Sequence, residues 1–198
     1  MTQPDTSPEP DLSVHFLAEG EQQPHDIALL LASFIRGARR SLDIAIYDFR
    51  LSEPLRQIVA SALADVAAAG VTIRIAYDAD KPETPNLVAG MDPATSGTGD
   101  FVRSLGYPWR RIGGLKLMHN KYIVRDAGAP DAAVWTGSTN FTDDAWTLQE
   151  NNILTIPDEL LATSYARDFA DLWARGVIEH TGAFETQHTS ASYQGEDV

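Results

Sequence analysis

The residues best equipped for chemistry lie in one run, Met118-His119-Asn120-Lys121-Tyr122-Ile123-Val124-Arg125-Asp126. An imidazole and an ammonium two residues apart on a strand project to the same side. That pair suits attack on an anion. The lysine neutralises phosphate charge, and the neutral imidazole nitrogen is left to attack phosphorus. A neighbouring cation also lowers the imidazole pKa, which keeps the ring neutral near pH 7. Asp126, at the end of the run, reads as an orienting and hydrogen-bonding group.

Two further stretches extend the set. Thr136-Gly137-Ser138-Thr139-Asn140 is a glycine-led polar turn, whose hydroxyl, amide and backbone N–H donors can hold phosphate oxygens. Gln149-Glu150-Asn151-Asn152 follows, and Glu150 could hold the second nitrogen of His119 and set its tautomer. The catalytic candidates are therefore His119, Lys121, Asp126 and Glu150, with Gly137, Ser138 and Asn140 as substrate binders. No cofactor and no metal is implied. Asp78 and Asp80 could form a carboxylate pair, but with no histidine or third carboxylate beside them they read as a solvated strand end. His15, His25, His180 and His188 lack a lysine two residues on and read as ordinary.

His119, Lys121 and Asp126 fit the His-x-Lys-x4-Asp signature, and Gly137-Ser138-Thr139-Asn140 fits the Gly-Ser-x-Asn extension that follows it. On these motifs the chain resembles the phospholipase D superfamily, over about residues 13–173. Glu150-Asn151 is similar to the downstream Glu-Asn of the superfamily's small bacterial nucleases. The spacing from Asp126 to Gly137 is longer than usual in the family, which places extra length in a turn-rich hairpin loop near 127–131. The resemblance implies two-step phosphodiester hydrolysis. One histidine forms a phosphohistidine; a second protonates the leaving oxygen and then activates water. This chain carries one such motif. The second half-site must come from a homodimer partner across a two-fold axis or from a further C-terminal lobe. The substrate is a phosphodiester, either a phospholipid head group or, alternatively, DNA or RNA cleaved without metal. A non-catalytic phosphate-binding module fits the complete residue set less well.

The elements that must position these residues follow from periodicity. Short strands are expected at 13–17, 41–47 and 71–77, with helices from about residue 24 and after Ser52, which reads as an N-cap with Pro54 in the first turn. Residues 115–124 are apolar at odd and even positions, as in a strand covered on both faces. Strands near 132–136 and 152–156 and a helix over about 158–174 close the domain. Asp143 and Asp144 start a short helix. This order predicts an α/β fold with a mostly parallel or mixed sheet between helices, as the resemblance also implies.

The 198 residues suffice for one domain, and 43% hydrophobic content supports a core. Residues 1–12 read as a disordered tail, 13–176 as the domain and 177–198 as a polar tail or linker. Residues 79–100 form an aperiodic loop that, with Trp109 and Trp146, could govern substrate choice. The absence of cysteine excludes disulfides, thiolate zinc sites and a cysteine nucleophile. With no signal-like start and no spanning apolar run, a cytoplasmic protein is expected. A net charge of -13 argues against a general nucleic-acid coat. Yet Arg103, Arg110, Arg111, Lys116, Lys121 and Arg125 occur from Phe101 to Arg125 without an acid among them. No lipid-inserting amphipathic stripe is visible.

Overall fold

The computed structural model describes residues 12–79, 97–182, 192–193 and 196–197. The expected disorder of the N-terminal tail, most of loop 79–100, Asp80, His188 and most of the C-terminal stretch lie outside these residues. A seven-stranded mixed sheet forms the centre. Its strands in chain order are β1 (Ser13–Leu17), β2 (Ser41–Ile46), β4 (Thr72–Asp78), β5 (Trp109–Ile112), β6 (Lys121–Arg125), β7 (Ala133–Gly137) and β9 (Asn151–Ile156). Across the sheet the order is β1-β9-β7-β6-β2-β4-β5. Strands β2, β4 and β5 are parallel neighbours, and every other pairing is antiparallel. The pair β3 (Phe49–Arg50) and β8 (Phe141–Thr142) forms a separate parallel bridge. Ser192–Tyr193 and Glu196–Asp197, β10 and β11, pair antiparallel near the C-terminus.

One face of the sheet is covered by α1 (Pro24–Arg36) and α2 (Leu55–Ala68), with α3 (Thr98–Leu105) and α4 (Asp143–Thr147) beside them. In α1 the buried residues Ile27, Ala28, Leu31, Ala32, Phe34 and Ile35 fall on one helical face. They meet Leu42, Ile44 and Ile46 of β2 and Ile73, Ile75 and Tyr77 of β4. The opposite face is covered by α5 (Glu159–Arg175), which Asp158 caps by accepting from Leu161 N at 2.6 Å and Gly176 ends in a left-handed conformation. Phe169 and Leu172 of α5 pack on Ala45, Ala76, Tyr122, Val124 and Val134. Beneath α5, Arg74 makes two 2.8 Å hydrogen bonds to Asp43, with its guanidinium over the rings of Phe169 and Trp173. That bidentate pair satisfies a carboxylate the sheet has removed from water.

Four local expectations are corrected. Strand β6 begins only at Lys121, so His119 precedes it, and Leu115 and Leu117 stand exposed instead of buried. Two glycines at 113–114 and three chain hydrogen bonds to the segment after α5 bend the chain there. Ser52 does not cap α2; its hydroxyl donates to Asp143 instead, and Pro54 holds the cap position. The end of the aperiodic loop is helical: α3 forms because Phe101 packs on Phe49, with centroids 4.8 Å apart, and the Thr98 hydroxyl donates to Asp48. Finally, Trp146 is fully buried and unable to touch a substrate.

Asp126 closes the far end of β6. It is 1% exposed, sits at φ 55, and accepts from the amides of Arg39, Arg40 and Ser41 at 2.8, 2.7 and 2.9 Å. Its role is to tie the β6–β7 turn to the entry of β2. An Asp126→Asn variant must place an amide NH2 against one of those donors. Urea unfolding should show stability lower by about 2–4 kcal/mol, with an unchanged native circular dichroism spectrum.

Candidate active site

The carboxyl ends of β2, β4 and β7 and the amino ends of β6 and β9 meet at one end of the sheet, the usual place for a ligand in an open α/β fold. Strand β2 presents Tyr47 and Asp48 just past Ile46, which pairs with Lys121. The backbone continues the pairing, since Tyr47 N donates to Asn120 O at 2.9 Å. His119 is thereby held beside Tyr47, ring centroids 4.8 Å apart in an edge-on arrangement.

Lys121 lies deeper. It is 8% exposed, its Nζ donates to His119 O at 3.1 Å and stands 5.2 Å from the Tyr47 ring centroid. Burial pushes its pKa down to about 8, and Asp48 opposes that shift. The His119 pKa is held below the ordinary imidazole value by partial desolvation and then by Lys121, with Asp78 pulling the other way. The two residues are neighbours as their spacing implies, through an extended lead-in to β6 and not through alternation within one strand. The exposed imidazole is thus available, and the ammonium on the same Tyr47 ring is shielded from water.

The polar turn lies at the end of the neighbouring strand β7. Gly137, at φ 142, passes so close to β9 that an added Cβ would lie 2.2 Å from Asn152 O. The Ser138 hydroxyl donates to Asn151 Oδ1 at 2.9 Å and accepts from Asn152 N at 3.0 Å. Asn140 Oδ1 is buried without a hydrogen-bond partner. Glu150 is exposed in the turn before β9, and among the described residues no hydrogen bond joins it to His119. Asp126 lies at the other end of β6, roughly 16 Å along the strand from Lys121. The structure therefore brings His119 and Lys121 together, sets Ser138 and Asn140 on an adjacent strand end, and separates Asp126 from all of them.

Sequence reasoning did not single out the supporting groups Asp48 and Asp168, and it read Asp78 as a solvated strand end. Asp48 is 4% exposed, accepts from the Thr98 hydroxyl at 2.7 Å and lies 3.2 Å from Arg50 Nε. Asp78 is 2% exposed and accepts from Met118 N at 2.8 Å, so it anchors the approach to His119 and is no solvated strand end. On α5, Asp168 accepts from the Tyr122 hydroxyl at 2.6 Å and from Asn120 at 3.4 Å. The only sequence signal for Asp48 and Asp78 was their place at the carboxyl ends of parallel strands. Of the six basic residues from Phe101 to Arg125, Lys121 forms part of this centre. Arg103 pairs with Asp100, and Arg125 donates to Phe34 O.

A family profile described as the cardiolipin synthase, PLD-like domain matches residues 31–173, and the chain belongs to this phospholipase D-like family. The mitochondrial cardiolipin hydrolase of Xenopus laevis is 30% identical over 137 residues, covering 69% of this chain and 56% of that protein. Its Xenopus tropicalis counterpart is 29% identical over 136 residues, with the same coverage. The chain thus spans a little over half the length of these relatives. Among solved structures, the phospholipase D family member Nuc from Salmonella typhimurium superposes with a TM-score of 0.59 at 24% identity, covering 83% of this chain and 95% of that one. NucT from Helicobacter pylori gives 0.56 at 23%, covering 83% and 97%. These likenesses establish the mixed α/β fold of the family.

The depressed Lys121 pKa has a consequence for stability. A cation whose folded pKa falls below its unfolded value destabilises the fold fully below the folded pKa, and the penalty fades as pH rises from about 8 through the unfolded value. Lys121→Met should therefore raise stability at pH 7 by about 1–3 kcal/mol. Denaturant titrations at pH 7 and pH 10 should show the gain shrinking at the higher pH; a loss of stability at pH 7 contradicts a penalised ammonium.

Proposed function

We propose that the chain is a phosphodiesterase acting on phospholipid head groups, with His119 as nucleophile. The observation that carries this reading is an exposed imidazole and a buried ammonium set against the same Tyr47 ring, 4.8 and 5.2 Å from its centroid. His119 attacks phosphorus, the leaving alkoxide departs with a proton, and a phosphohistidine remains until water displaces it. Lys121 offsets the charge of the phosphoryl oxygens in a site with little water to screen it. The Asn140 amide supplies a further donor, and the Ser138 hydroxyl supplies another by exchanging its bond to Asn151 for the phosphate. The mitochondrial cardiolipin hydrolases among the relatives support a lipid substrate. A nuclease would use the same chemistry, and the overall charge of -13 disfavours a long polyanion.

The in-line geometry asks for a second imidazole opposite the first. Among the described residues His15 lies on β1, His25 on α1 and His180 beyond α5, and none of them follows the motif. A twin subunit presenting its own His119 supplies the missing proton donor. If so, light scattering and specific activity across a dilution series should fall together; a fully active monomer contradicts the shared site.

His119→Ala should abolish phosphodiester turnover while the protein still folds. In the active protein, kcat/KM should rise with pH as the attacking His119, whose value lies below 6.5, becomes neutral, and fall as the donor imidazole of the twin loses its proton. Loss of the Lys121 proton near pH 8 should steepen that fall. A profile still rising above pH 9 contradicts a required ammonium.

A further inference from the structure

The segment between β5 and His119 is built unlike the rest of the site. Leu115 is 64% exposed, Leu117 is 46% exposed, and exposed Lys116 lies between them. Val177, 39% exposed, stands beside the base of this loop through the parallel bridge between Gly113 and Val177. Large apolar side chains left in water at adjoining positions are costly unless something covers them in use.

The loop is not loose at its base. Gly113 N donates to Gly176 O at 2.9 Å, and Ile178 N donates to Gly113 O at 2.9 Å. Leu115 N donates to Glu179, and Met118 N donates to buried Asp78. Pinned at both ends, residues 115–117 form a fixed projection. Leu117 is two residues from His119, so the tip lies within about 7 Å of the nucleophile's backbone.

Cations gather at the tip although the chain is acidic, while Asp168, which accepts from Asn120 and the Tyr122 hydroxyl, lies on the α5 side of His119. Lys116 and Arg175 are exposed, and the Arg110 guanidinium lies against Gly176. Glu179 opposes them, but its carboxylate is engaged by the Leu115 amide. Leucines flanking a lysine suit the boundary of a bilayer: the apolar groups enter the acyl region while the ammonium remains among anionic head groups. A protein partner would satisfy the leucines alone. The surrounding cations and the short distance to a phosphodiester-cleaving histidine favour a lipid surface.

We propose that loop 113–118, with Val177 at its base, is a docking tip that seats the active site on an anionic phospholipid surface. This rests on the lipid phosphodiesterase reading above and adds how that substrate is reached. The tip enters the interface and brings His119 to the depth of the head-group phosphates.

The test uses the full chain with Leu115→Ser/Leu117→Ser and with Lys116→Gln. Each is assayed for flotation with vesicles of phosphatidylcholine, with or without phosphatidylglycerol, and for turnover of soluble bis(4-nitrophenyl) phosphate. Wild type should float with the anionic vesicles. The double leucine variant should bind them about tenfold more weakly or worse, Lys116→Gln should lose the preference for anionic lipid, and soluble turnover should be unchanged in both. The docking proposal is overturned if wild type ignores vesicles or if the double variant floats like wild type. It is also overturned if the variants lose binding to a DNA oligonucleotide in place of vesicles. Absence of soluble turnover in wild type would instead refute the phosphodiesterase reading, and flotation would still decide the docking.

Discussion

A buried ammonium is the constraint around which the rest of this molecule is arranged. Lys121 is 8% exposed, and an ammonium removed from water costs several kcal/mol unless other groups compensate. The compensation comes from separate parts of the chain. His119 offers its carbonyl, Tyr47 its ring face, and Asp48 its negative charge. Asp48 is in turn held by Thr98 at the start of α3 and flanked by Arg50 on β3. Helix α3 and the bridge between β3 and β8 therefore belong to the site's support, although neither touches His119.

Strand β6 divides two kinds of work between its ends. At its amino end the pairing of Lys121 with Ile46 delivers charge to the site. At its carboxyl end Asp126 collects three backbone amides and fixes the strand against the entry of β2. A register slip of one residue would carry Lys121 to the α5 face and Tyr122 to the other. The Asp126 cluster opposes such a slip, and so does the hydrogen bond from Tyr122 to Asp168 on α5. The signature His-x-Lys-x4-Asp thus joins the candidate pair His119 and Lys121 to a structural anchor about one strand length away.

The acidic surface and the cationic site are reconciled by distribution. Arg74 is spent on Asp43, Arg36 on Asp65 and Arg103 on Asp100. What remains positive at the site end is a shielded lysine and a few cations around the loop before His119. Such local contrast draws an anion to one place without making the whole protein adhere to polyanions.

The sequence by itself determined the candidate pair His119 and Lys121, the polar turn, the family and the alternation of strands and helices, because these depend on residue types at short fixed spacings. Helices α1, α2 and α5 were legible from one-sided burial, and the short helix at Asp143 from its acidic start. Tertiary structure alone decided where the family motif ends as chemistry: Asp126 turns its carboxylate to three amides that lie 85 to 87 residues earlier in the chain. It alone placed Asp48 and Asp78 beside the site, since neither has a local pattern and both act through strand ends brought together by the sheet. It also decided that 115–117 is exposed and not a covered strand, because two glycines and contacts to the segment after α5 bend the chain there. An apolar run reads the same whether it is to be buried by the protein or left facing outward; only the surrounding elements choose between the two.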